Sequence, residues 1–407
     1  MVTPMMFNSM KLYCLLILLL SSCTVEKFFP DPLHSQPIID VKELAPCDWH
    51  ELHSSKKSLL DGLYEINIQV QTPIEEVKDD IVLQFDWEDG LAKGIHSKKI
   101  IHDVVLTTGE DGAQYEIVYE PVNGFHETLG VWFNWNETNS IPQNDFLVND
   151  IGNINLNPDG AILYRIHKDI RVPSKGVAML VCGIGGMEYA SRQLGNALLE
   201  DGWTVAYLFS VITTPDIGQN IPIDGTPESL IELFNHKYCQ LMSAAQAIQR
   251  SLDVTDCSQF ILLGISAGAL NTPAIYEALL VKPECVVLIA GGANMAEIVQ
   301  EGVVTNWDFV VDGKFLSLEE RQMLSNQYLT HLSRDPYHLS ALLPHKKTLL
   351  LHAKWDKIVP AENGDLLWEQ SGQTERWVYP SGHLGLFATF HNHAHKIVDW
   401  IKYKLQQ

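Results

Sequence analysis

Ile261-Leu262-Leu263-Gly264-Ile265-Ser266-Ala267-Gly268-Ala269 is a short apolar run that ends in Gly-x-Ser-x-Gly and passes into a helical stretch. A strand that turns sharply into a helix needs small residues where backbone segments meet, and Gly264 and Gly268 supply them. The turn leaves Ser266 exposed at the helix N-terminus, where the dipole favours developing negative charge. The N–H of Ala267 is placed to donate to an oxyanion there.

Working outward, three further stretches carry chemistry. Leu180-Val181-Cys182-Gly183-Ile184-Gly185-Gly186 follows a buried strand upstream of the serine. Its glycines let peptide N–H groups turn toward a substrate, and Ile184 is the expected second oxyanion donor. Leu349-Leu350-Leu351-His352-Ala353-Lys354-Trp355-Asp356 is a strand that ends at a carboxylate able to orient an imidazole, with Glu297 as the alternative acid. Val378-Tyr379-Pro380-Ser381-Gly382-His383-Leu384-Gly385 puts a histidine in a glycine-containing loop before the closing helix. His352 reads as structural, and His391, His393 and His395 as a solvated helix face without metal-ligand spacing.

These stretches resemble the α/β-hydrolase superfamily over roughly residues 155–405, about three fifths of the chain. The chain order Ser266, Asp356, His383 is that of the superfamily; Cys182-Gly183 stands where His-Gly is often found. The resemblance implies an eight-stranded, mostly parallel sheet. It also implies hydrolysis through an acyl-enzyme, with Ser266 as nucleophile, His383 as general base and Asp356 as the orienting acid, and without metal or cofactor. A small-molecule or lipid carboxylic ester is the expected substrate. A thioester or peptide on the same residues is the alternative, as is a non-catalytic surface protein that uses the fold as a scaffold. In the last case the binding surface would be an N-terminal β-domain bearing Trp87, Trp132 or Trp135.

The rest of the pattern sets the frame. From about residue 155, strands and helices alternate, as βαβ units do. Residues 153–407 form the expected hydrolase domain, and 302–345 break its rhythm as a cap or lid insertion. There Trp307, Phe309 and Phe315 either line an acyl pocket or pack the lid. Residues 46–152 read as a small β-rich, sandwich-like domain, with strand candidates Leu63–Val70, Ile81–Trp87, Ile100–Thr107, Gln114–Glu120 and Leu129–Trp135.

Residues 1–22 read as a signal segment: Lys11, an apolar run Leu12–Leu20, then Leu20-Ser21-Ser22-Cys23. This resembles a bacterial lipobox, so Cys23 is the expected lipidation site and 23–45 a Pro-containing tether. The chain is then expected in the cell envelope, anchored to the outer membrane; an ordinary cleaved signal, giving a periplasmic or secreted protein, is the alternative. The net charge of −22 argues against nucleic acid as a partner, since phosphate needs clustered cations. Of the seven cysteines, Cys182 and Cys285 lie in buried strands, and a Cys239–Cys257 disulfide is open.

Overall fold

The computed structural model describes residues 161–183, 189–210 and 220–407 apart from 253, 255, 256 and 306, together with Leu44 and several outlying strands. The strands are β1 (Glu26–Phe28), β2 (Ile101–Gly109), β3 (Gly112–Val122), β4 (Phe125–Phe133), β5 (Val148–Asn149), β6 (Asn153–Ile154), β7 (Ala161–Asp169), β8 (Val177–Val181), β9 (Thr204–Ser210), β10 (Asn220–Pro222), β11 (Phe260–Ile265), β12 (Cys285–Ile289), β13 (Asp308–Val311), β14 (Lys314–Phe315), β15 (Thr348–Ala353) and β16 (Glu375–Tyr379). The helices used below are α1 (Tyr189–Glu200), α2 (Pro227–Ser251), α3 (Ala267–Ala278), α4 (Met295–Glu301), α5 (Leu318–Thr330), α6 (Pro336–Leu339), α7 (Ala361–Gln370), α8 (His383–Ala388) and α9 (His391–Leu405).

One sheet dominates, in the order β1-β16-β15-β12-β11-β8-β9-β7-β4-β3-β2. From β9 to β16 every neighbouring pair is parallel, whereas β1 and the strands from β7 outward are antiparallel. The chain is therefore mixed α/β with a mostly parallel centre. Alternation sorts each central strand between two covered faces. Ala178, Leu180, Ile261, Leu263, Val287 and Leu351 face α1 and α9; Met179, Val181, Ala206 and Leu262 belong to the face covered by α2 and α3. Burial on both faces is why these segments read as unbroken apolar runs rather than alternating ones.

Three features lie beyond the sequence reading. First, of the stretch read as a sandwich, the described strands β2, β3 and β4 continue the central sheet antiparallel from β7. The candidates Leu63–Val70 and Ile81–Trp87 lie outside the described residues, as do Cys23 and the signal segment. Secondly, the tether contributes structure: Glu26–Phe28 pairs with β16, and Leu44 is buried in the core beneath the cap. Thirdly, the closing helix is two helices, α8 and α9, parted at Thr389 and Phe390.

The 302–345 segment forms β13, β14, α5 and α6, but it does not stand alone. Its strand β13 pairs in parallel with β10, from the segment after β9. Phe309, Leu324, Tyr328 and Leu339 pack on Leu230, Phe234 and Tyr238 of α2. Trp307 stacks on Phe234 at 6.3 Å and 10°, so Trp307 and Phe309 pack the cap, while Phe315 is exposed. A buried carboxylate ties the cap to the sheet. Asp335 accepts from the N–H groups of Asn294 (2.9 Å) and Met295 (2.7 Å), at the start of α4, and from Tyr328 Oη (2.9 Å). With Tyr337 N–H at 2.8 Å as well, four donors offset the cost of taking that charge out of water.

Cys239 is disulfide-bonded while Cys257 is a free thiol, so the two are not paired with each other. Cys182 and Cys285 are buried, as expected from their apolar surroundings. Among the described residues, no helix is long and apolar enough to cross a membrane.

Candidate active site

The β11–α3 turn has the geometry its sequence demands. Ser266 sits at φ 53°, ψ −120°, outside the regions an L-residue prefers. Its N–H donates to Ile289 O at 2.8 Å, and its carbonyl accepts from Ala269 N at 2.8 Å, which holds the turn from both sides. The two glycines are there for closeness. A Cβ on Gly264 would lie 2.1 Å from Thr272 Oγ1, and one on Gly268 would lie 2.0 Å from Val181 O. Ala267 is the first residue of α3, where an N–H has no acceptor within the helix. Pro273 lies within α3 without ending it.

His383 is the first residue of α8, directly after the short turn that follows β16, rather than a loop residue as the sequence suggested, and Asp356 comes from the loop after β15. The fold brings both to the serine. Ser266 Oγ lies 2.9 Å from His383 Nε2, and His383 Nδ1 lies 2.6 Å from Asp356 Oδ2. All three residues are buried. The other carboxylate oxygen, Asp356 Oδ1, accepts from Ile358 N (2.9 Å) and Val359 N (3.0 Å). These bonds stabilise the buried carboxylate and fix which oxygen faces the imidazole. Phe387 packs edge-on against the His383 ring at 4.6 Å. With Asp356 accepting at Nδ1, the neutral ring carries its proton there and presents Nε2 as a base to the serine hydroxyl.

Other sequence candidates fall elsewhere. Glu297 bonds the side-chain amides of Asn294 and Asn363, each at 2.9 Å, and the place beside His383 is taken by Asp356. Ile184 lies outside the described residues; Gly183, where that loop begins, is described. His352 is buried in contact with Arg376, which in turn pairs with Asp365. Burial and then the Arg376 guanidinium push His352 down to about 4. His393 corrects the reading of a wholly solvated histidine face. It turns inward against Tyr379 (4.3 Å) and Phe390, and burial brings it to about 4. Among the described residues no group of three or more His, Cys, Asp or Glu side chains is placed to hold a metal ion.

Sequence reasoning missed Phe387, the two backbone donors to Asp356, and Asp335. The donors had a signal, since an Asp followed by an extended turn is a common cap for the next N–H groups. Asp335 had only Pro336 behind it, a helix-start cue that says nothing of the α4 contact.

No family model matches the chain. A segment of 98 residues, 23% of the chain, is 28% identical to the uncharacterized protein YdjC of Bacillus subtilis and covers 84% of it. Among solved structures, the chain is similar to an acetyl xylan esterase from a Paenibacillus species: TM-score 0.46, 14% identity, 90% of this chain and 96% of that one. It is also similar to an acetyl xylan esterase from a Thermoanaerobacterium species: TM-score 0.40, 12% identity, 80% and 99%. An esterase of Pyrococcus furiosus aligns with 60% of this chain and 87% of its own, at TM-score 0.40 and 13% identity.

Proposed function

We propose that this protein is a serine hydrolase of the α/β-hydrolase type that cleaves a carboxylic ester through an acyl-enzyme. The observation that carries the reading is the continuous chain Ser266 Oγ–His383 Nε2–Asp356, at 2.9 and 2.6 Å, on a strained strand–helix turn. In this mechanism His383 takes the proton of Ser266 as its oxygen attacks the ester carbonyl. The tetrahedral oxyanion is held by the N–H of Ala267 and by the loop that begins at Gly183, with Ile184 as donor. His383 then protonates the departing alkoxide, and water repeats the sequence to release the acid. Asp356 stays ionised and stabilises the imidazolium. The chemistry uses no metal or cofactor.

A fluorophosphonate probe tests this. The wild-type protein is expected to label covalently and Ser266→Ala not at all; a folded wild type that does not label overturns the reading. For location, we propose a lipid anchor on Cys23, resting on Leu20-Ser21-Ser22-Cys23. Radiolabelled palmitate incorporated by wild type and lost in Cys23→Ala is the expected result; equal incorporation in both rules it out.

A further inference from the structure

The His383 ring is engaged at both nitrogens, and the proposed reaction consumes one of the two partners. Nε2 faces Ser266 Oγ at 2.9 Å, and Nδ1 faces Asp356 Oδ2 at 2.6 Å. In acylation Oγ bonds to the ester carbon, the C–O bond to the alcohol breaks, and the serine proton passes through Nε2 to the departing oxygen. Oγ is then an ester oxygen with no proton to give. In deacylation a water oxygen bonds to the carbonyl carbon and one of its protons moves to Nε2. That proton returns to Oγ as the acyl bond breaks. Between the two halves the imidazole keeps one strong hydrogen bond, to Asp356. The χ2 torsion of a histidine is soft and broad, so a single bond at Nδ1 fixes the direction of Nε2 only weakly.

A further contact outlasts acylation. Phe387 lies four residues after His383 on α8, so the two share one face of the helix. Their ring centroids are 4.6 Å apart at 71°, a T-shaped pair of the kind aromatic rings favour. Phe387 is itself braced. It packs on the core cluster that holds Leu386, and its ring meets that of buried Phe390 at 6.4 Å and 76°. Phe390 meets His393 at 6.3 Å and 80°, and His393 leans on Tyr379 of β16 at 4.3 Å. The column of rings runs from the imidazole back to the strand that leads into its turn. None of these contacts involves Ser266, so acylation leaves them in place.

We propose that Phe387 is a positioning residue for His383. Its ring keeps Nε2 directed at the acyl carbon while Ser266 carries the acyl group, so its effect falls mainly on deacylation. The proposal goes beyond the serine-hydrolase reading and rests on it.

Hydrolysis of p-nitrophenyl acetate separates the two halves, because p-nitrophenol leaves on acylation and acetate on deacylation. Active sites are counted by fluorophosphonate labelling, and rates are taken per labelled site. Phe387→Ala is expected to lower kcat on the order of tenfold, with KM falling alongside and kcat/KM changing less than about threefold. It is also expected to release a burst of p-nitrophenol before the slow phase. Phe387→Tyr keeps the ring and is expected to stay within about twofold of wild type in kcat. Phe387→Leu fills the space without a flat face and is expected to shift kcat and KM as the alanine does; it serves as the test if the alanine protein does not fold. A merely structural role would leave fewer sites labelled, each with wild-type kcat and KM. That result overturns the proposal, as does a kcat/KM that falls as far as kcat. Absence of labelling in folded wild type brings down the hydrolase reading and this role with it, an outcome seen without any variant.

Discussion

The two edges of the parallel sheet are built differently. At the N-terminal edge, Gly202 (φ 91°) leads into β9 and Gly372 (φ 75°) lies before β16, beside Gln373 (φ 57°). Asp201 there is held by exposed Lys175 and Lys402 at 2.9 and 2.7 Å. At the C-terminal edge, left-handed or stranger backbone falls on Ser266 (φ 53°), Ala290 (φ 52°) and Asn294 (φ 70°), each just past a strand. Two carboxylates there, Asp356 and Asp335, are buried and hydrogen-bonded. One edge turns the chain cheaply; the other holds strained, desolvated groups in fixed positions. Such strain persists only where the surroundings over-determine it, and it collects where chemistry is done.

The largest difference between the edges is expected in turnover. Ser266→Ala and His383→Ala are each expected to lower p-nitrophenyl acetate hydrolysis on the order of 10⁴–10⁶-fold, and Asp356→Asn by less, with double variants far from additive. Full activity in a folded Ser266→Ala protein would make the C-terminal edge merely structural.

A second contrast is in pH. His352, at the C-terminal end of β15, is held neutral with a folded value of about 4 against 6.5. The unfolded chain binds that proton more readily, so the contribution is complete above about 6.5 and is lost as pH falls toward 4. Burial of His393 works in the same window. Thermal melts of wild type are expected to fall steeply from pH 6.5 to 4, and those of His393→Phe less so. A flat wild-type profile would show these histidines unperturbed.

Strain at the elbow gives a smaller effect. Ser266→Gly and Ser266→Ala both lose the hydroxyl, but only glycine accepts φ 53°, ψ −120° without penalty. The glycine variant is expected to be more stable in urea by about 1–3 kcal/mol. Equal midpoints would mean the turn carries no strain. The smallest effect belongs to the N-terminal edge. Lys402 is 43% exposed on its side chain and Asp201 keeps Lys175, so Lys402→Ala is expected to cost under about 1 kcal/mol by denaturant titration.

Most of what was legible in the sequence was local. Unbroken apolar runs located β8, β11, β12 and β15, because a strand buried on both faces has little freedom in composition. Gly264 and Gly268 announced the sharp turn, because no other residue fits where a Cβ would meet Thr272 or Val181. Ser266, Asp356 and His383 were found by their place after strands and by their order.

What escaped was set by pairing between distant segments. Nothing near Glu26 foretells β16, nothing near Asn220 foretells β13, and β4 joins β7 by hydrogen bonds of backbone groups common to every sequence. The inward turn of His393 depends on Tyr379, and the partner of Cys239 cannot be reasoned from spacing. The sequence by itself determined the strand–turn–helix units and the identity of the three polar residues at their ends, because steric and hydrophobic constraints act over a few neighbours. Only the tertiary structure decided that Ser266 and His383, 117 positions apart, stand 2.9 Å from each other, and that Asp356 rather than Glu297 meets the imidazole. Those distances follow from sheet order and loop closure, which the packing of the whole core fixes together.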